Sequence, residues 1–193
     1  MHTLALLSLT LTLTLAIGTL AQAQSTQLLG TGSEIAFTTQ QMGVPVEGRF
    51  GRFSARITLD PRQPEAGSVI LNIDTSSARF GTAELDAELP KPVWLNAARF
   101  PQASFESTRI RAAGADRFEV RGKLAIKGLA HELTVPVQIA RTAGPGGLGT
   151  ASGSFTIKRL DFKVGEAEWA DTSLLANDVR VRFKLALSGL LPP

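Results

Sequence analysis

"RFEVRGKLAIKGLAHELTVPVQIAR", residues 117–141, decides how this chain folds. Phe118, Val120, Leu124 and Ile126 alternate with Glu119, Arg121, Lys123 and Lys127. After a Lys-Gly-Leu-Ala turn, Leu133, Val135, Val137 and Ile139 alternate with Glu132, Thr134 and Gln138. A side-chain period of two on both sides of a short glycine-containing turn marks a β-hairpin with one apolar face. That face either packs into a filled sandwich core or lines a cavity, and the pattern leaves both open.

The same alternation recurs outward from the hairpin. It predicts eight strands, at 33–42, 44–60, 68–75, 103–112, 117–127, 132–141, 150–160 and 179–188. The second changes phase: Val44, Val46 and Phe50 share one parity, and Phe53, Ile57 and Leu59 the other. A phase change near Gly51 implies a bulge or sharp bend, the device that lets a sheet curl. Residues 81–98 break the β pattern with helix formers, Leu85 and Leu89 lying four apart, and Pro90 and Pro92 stop that helix. The fold class is mainly β, and short loops between successive strands favour an eight-stranded antiparallel barrel with one inserted helix over a sandwich. Such a barrel is just wide enough to be filled by side chains or to hold one slender ligand.

Composition bounds the function. Residues 4–24, "LALLSLTLTLTLAIGTLAQAQ", form an apolar run ending in the small-x-small site Ala21-Gln22-Ala23. This is read as a cleaved export signal over 1–23, with a mature domain over 24–193 and a periplasmic destination. Its apolar part, Leu4 to about Ala16, is too short for a span of about 20 residues, so no stable membrane insertion is expected. There is no cysteine, which excludes thiol chemistry, and the formal charge is only +3. Its Lys and Arg are spread along alternating strands as a solvated face, without the basic cluster and aromatic platform of a nucleic-acid binder.

His131 is the single histidine of the 24–193 region, so a zinc site is not expected, and no cofactor or other metal is called for. It falls in the hairpin turn with no nucleophile motif nearby, which argues against catalysis. "GPGGLG", 144–149, lacks the lysine and strand-to-helix context of a phosphate loop.

Several segments resemble the YceI-like family of bacterial proteins. These are "MGVPVEGRFGRFSARITLDP" (42–61), "WLNAARFPQASFES" (94–107), "GKLAIKGLAHELTVPV" (122–137) and "KRLDFKVGEAEWADTSLLANDVRVRFKL" (158–185), in the family's order. Leu95-Asn96 stands where the family usually has an aromatic followed by Asp, and Lys163 where Gly usually follows Asp-Phe. The second departure implies an altered corner after Phe162. The resemblance implies a lipocalin-like barrel whose apolar interior holds a polyisoprenoid or isoprenoid-quinone-like amphiphile, in a carrier or sequestering protein that is not an enzyme.

On that basis Phe105, Phe118, Val120, Leu124, Ile126, Leu133, Val135, Val137, Phe155, Ile157, Val181 and Phe183 are the cavity-lining candidates. Trp94, with Phe80, Leu85 and Leu89, either caps one end or packs the helix against the sheet in the ordinary way, and both readings stay open. Arg159 is the head-group candidate through its bidentate fork, set against an Arg159–Asp161 pair that merely fixes a corner. Trp169 reads as a loop anchor. Gly122 and Gly153, at inward parity, either relieve crowding or let a strand bend. Two rivals stay open from sequence: a solid-core periplasmic stress or interaction protein, and a lipid-head-group enzyme using Asp161, Asp171 or His131. Homodimerisation also stays open.

Overall fold

The alternating segments pair with their sequence neighbours into one curled antiparallel sheet. The computed structural model describes residues 26–190 other than Pro145; the expected export segment at 1–23 lies outside the described residues. The strands are β1 (Gln27–Gln41), β2 (Val44–Phe50), β3 (Phe53–Thr58), β4 (Ser68–Asp74), β5 (Ala78–Arg79), β6 (Gln102–Gly114), β7 (Arg117–Ile126), β8 (Leu129–Arg141), β9 (Gly149–Lys158) and β10 (Asp178–Ser188). Their order in the sheet is β3-β4-β6-β7-β8-β9-β10-β1-β2-β5.

The two ends of that order are halves of one bent strand pair. β3 continues β2 across Gly51-Arg52, and β5 continues β4 across the 3-10 turn Thr75–Ser77. At the corner Gly51 N donates to Ser77 O and Asp74 N to Arg52 O, both at 3.0 Å. Thr26 N, bonded to Ile57 O at 3.1 Å, brings the leading end of β1 to β3. Nine of the ten segments thus correspond to the eight expected strands, the second broken once where the sheet turns, while the two-residue β5 lies beyond the third expected strand at 68–75. The phase change read near Gly51 is that break.

The deciding hairpin forms with a tighter turn than its sequence suggested. Ile126 pairs with Leu129, leaving Lys127 and Gly128 as a two-residue turn. Their φ angles of 52° and 79° match the turn whose twist suits antiparallel strands. His131 therefore lies on β8, opposite Leu124, rather than in the turn.

The inserted helix is α1 (Ala83–Glu88), ended by Pro90. Leu89 and the turn to Phe100 pack it over one end of the barrel. At the far end Leu59, Ile110, Ile139, Ala151, Leu187 and Leu190 are buried and line the bottom of the interior space. The tube therefore has one end floored by buried apolar side chains and one end covered by separate loops.

Candidate functional site

Inward alternation around the sheet builds a cavity of about 490 Å³, within the usual range of small-molecule pockets of about 300–1,000 Å³. Phe105 (β6), Phe118, Val120, Leu124 and Ile126 (β7), Val135 and Val137 (β8), Phe155 and Ile157 (β9), and Val181 and Phe183 (β10) all line it. Leu133 does not: it is half-buried against the core, opposite Gly122, over which the Phe105 ring extends. That ring takes the wall position that alternation assigned to Leu133.

The wall also includes residues the hairpin pattern did not single out. Phe37 on β1 meets Phe50 at 5.2 Å and Phe80 at 5.4 Å between ring centroids, forming an aromatic corner. Ile35, Ile57, Leu71 and Ile73 extend the lining around the other half of the sheet. Their strands carry the same period of two, so parity was the signal that could have found them.

The covered end is made by two loops locked together. Gly165 N donates to Val93 O at 2.8 Å, and the Trp94 and Trp169 rings sit 5.3 Å apart. Trp94, Leu85 and Leu89 border the cavity, and Trp169, read as a loop anchor, borders it too. Leu85 is 40% exposed while Leu89 is buried, so the helix presents one apolar side chain at the rim and one inward.

Arg159 has a different role from the head-group contact considered above. It is only 2% exposed, and every guanidinium N–H is used. Nε donates to Ala176 O at 3.0 Å; Nη1 donates to Val164 O and Gly165 O at 2.9 and 2.8 Å. Nη2 donates to Trp169 O and Leu175 O at 2.5 and 2.7 Å. A guanidinium has five donors, so none is left for a phosphate. Burial lowers its pKa, and the five carbonyl dipoles are what hold the charge in place. Nor does Arg159 pair with Asp161. The Asp161 carbonyl oxygen instead lies 3.1 Å from His131 Nε2, whose ring packs edge-on to Phe162 at 4.9 Å. Arg159 is the central fastener of the 159–177 loop.

Lys163, where a glycine was the family's habit, occupies φ 54°, ψ 37°. The corner thus keeps the left-handed backbone that glycine adopts at lower cost, and no altered geometry follows from the side chain. Among the described residues no group of three or more His, Cys, Asp or Glu is arranged to hold a metal. No helix among them is long and apolar enough to cross a membrane.

A curled antiparallel β-barrel with an apolar interior, an apolar floor and a loop-covered end defines a class of small barrel able to enclose an apolar molecule. The model of the YceI-like domain matches residues 27–187, and the chain belongs to that family. A UPF0312 protein of Pseudomonas aeruginosa is 32% identical over 166 residues, spanning 84% of this chain and 86% of its own length. A UPF0312 protein of Vibrio cholerae is 28% identical over 159 residues, covering 78% and 84%. Among solved structures, Burkholderia cenocepacia BcnA superposes with a TM-score of 0.79 at 37% identity, covering 83% of this chain and 99% of BcnA. A polyisoprenoid binding domain from Saccharophagus degradans shares the fold, with a TM-score of 0.65 at 17% identity over 86% of this chain and 98% of that one.

Proposed function

We propose that this protein is a non-enzymatic carrier or sequestering protein that takes the apolar tail of an isoprenoid or similar amphiphile into its barrel. The observation that carries this reading is the cavity of about 490 Å³ walled by inward aliphatic and aromatic side chains. An apolar tail gains about 0.8 kcal/mol for each CH₂ removed from water, and a wall that is mostly aliphatic and aromatic asks no polar contact of most of its length. Family membership supports the reading, as does the shared fold with a domain named for polyisoprenoid binding. The apolar run at 4–16 and the Ala21-Gln22-Ala23 site support export, with the periplasm as the place of work.

Native mass spectrometry of protein purified from its own host tests this directly. The expected spectrum carries a bound mass in the range of a long-chain lipid. A spectrum at the apo mass alone, with no uptake of polyprenol, polyprenyl phosphate or isoprenoid quinone in a tryptophan-quenching titration, overturns it.

A further inference from the structure

The cavity wall carries few polar side chains, and their chemistry bears on the head group. Thr75 Oγ1 donates to Phe100 O at 2.7 Å, Thr39 Oγ1 lies 3.3 Å from Asp178 O, and Arg159 is fully engaged with carbonyls. Three lining groups remain: Gln41, Glu88 and Glu168.

All three belong to the loop-covered end. Gln41 bridges to Leu175 in the 159–177 loop, Glu168 precedes Trp169, and Glu88 precedes Leu89, whose carbonyl accepts from Leu95 N at 3.0 Å beside Trp94. Glu168 is exposed and makes no hydrogen bond or ion pair among the described residues. Glu88 is half-buried and holds Lys91 Nζ at 2.5 Å, so the nearest lysine is already neutralised. Lys127 Nζ, from the β7–β8 turn, is likewise committed, to Glu166 at 2.8 Å. Arg159 is the one cationic side chain on the described wall.

Phosphate sites are built from free guanidinium or ammonium groups and free N–H donors. This rim offers no free cation: Glu88 is closed in its pair with Lys91, Glu168 is an unpaired carboxylate that accepts hydrogen bonds and repels a second anion, and the Gln41 carboxamide is uncharged. Like-charge juxtaposition is a means of rejecting a wrong ligand as well as a missed contact.

We infer that the rim formed by Gln41, Glu88 and Glu168 selects amphiphiles with an uncharged, hydroxyl-bearing head and rejects the corresponding phosphates. The hydroxyl donates to a carboxylate, and the amide of Gln41 serves its oxygen. This inference rests on the carrier reading above and specifies the ligand class of the same cavity.

Trp94 and Trp169, the two tryptophans of the chain, both border the rim and report binding. Delipidated full-length mature protein is titrated with a polyprenol and with its monophosphate of the same tail length, at low and high salt. The alcohol is expected to bind at least tenfold more tightly at low salt, with the gap narrowing at high salt. In Glu168→Gln the gap is expected to shrink several-fold, and in Glu168→Lys further. Equal or tighter binding of the phosphate overturns the inference while leaving the carrier reading intact. A gap unchanged by salt and by both substitutions overturns the role given to the carboxylates. Binding of neither lipid overturns the carrier reading, and the inference falls with it.

Discussion

Phe37, Phe105 and Phe183 each reach across onto a glycine of the neighbouring strand, Gly48, Gly122 and Gly153 respectively. A Cβ on Gly122 or Gly153 would stand 2.6 Å from the ring covering it, and against the carbonyl of Glu106 or Pro136 as well. The missing side chain lets the ring lie along the wall, so the lumen keeps space that a phenyl group would otherwise fill. Gly153→Ala is therefore expected to drive the Phe183 ring inward, lower stability by about 1–3 kcal/mol as overpacking does, and reduce lipid uptake. Denaturant unfolding and lipid titration measure the two effects separately; unchanged uptake would show that the ring does not border the ligand. Arg159 offers the second test at this scale. Arg159→Lys keeps the charge but can reach only some of the five carbonyls, and stability is expected to fall by about 3–5 kcal/mol, the range for breaking a buried charged network. Calorimetry reads the loss, and a loss under about 1 kcal/mol would contradict the role. The residue type at 159 and its place beside Asp161 suggested an ion pair or a phosphate contact; its true partners come from residues 164 to 176, brought together only by the folded loop.

At the scale of elements, the corner that joins β2–β3 to β4–β5 holds the curl. Ser77 Oγ donates to Asp74 O at 2.6 Å and accepts from Arg52 N at 3.0 Å. The Asp74 carboxylate accepts from Ser76 N and Ser76 Oγ at 2.8 and 2.7 Å, and from Arg52 Nε at 2.9 Å. The Ser76 hydroxyl, then the Arg52 guanidinium, hold its pKa below the usual carboxylate value. A depressed folded pKa means stability that is present above the unfolded value of about 3.9 and lost as pH falls through the folded one. Asp74→Ala is expected to unfold earlier in urea at neutral pH, with its deficit closing below about pH 4 as the native carboxylate also protonates. A deficit independent of pH would assign the effect to the cap geometry alone. Much of this level was legible in sequence, because a half-buried strand writes its orientation as a period of two. The phase change near Gly51 marked the corner, and Pro90 and Pro92 marked the end of α1. Residues 27–32 of β1 were missed because Leu28 and Leu29 are adjacent, and the register shifts between Leu29 and Glu34. Trp169 and Glu168 were missed as cavity residues because a loop has no period from which to infer a facing direction.

At the scale of the molecule, a barrel that keeps an apolar space open forgoes the packing that would fill it, and a bound tail restores those contacts. Stability and occupancy are then linked: a ligand present at 100 times its Kd adds about 2.7 kcal/mol to the folded state. For a domain of this size each kcal/mol moves Tm by about 2–4 °C, so lipid at that excess is expected to raise Tm by about 5–10 °C. Phe183→Ala separates an open barrel from a filled one. Phe183 borders the cavity and is half-buried, so its ring has open space on one side. Truncating it removes fewer contacts than truncating a phenylalanine packed all round, for which the cost is about 3–5 kcal/mol. The ligand-free variant is expected to lose about 1–2 kcal/mol, and the Tm rise on adding lipid is expected to shrink by half or more. Differential scanning calorimetry with and without polyprenol gives both numbers from one pair of proteins. A loss of 3–5 kcal/mol in ligand-free protein, with no Tm rise in the parent, would mean that the barrel packs solid in solution and that its interior is core, not site.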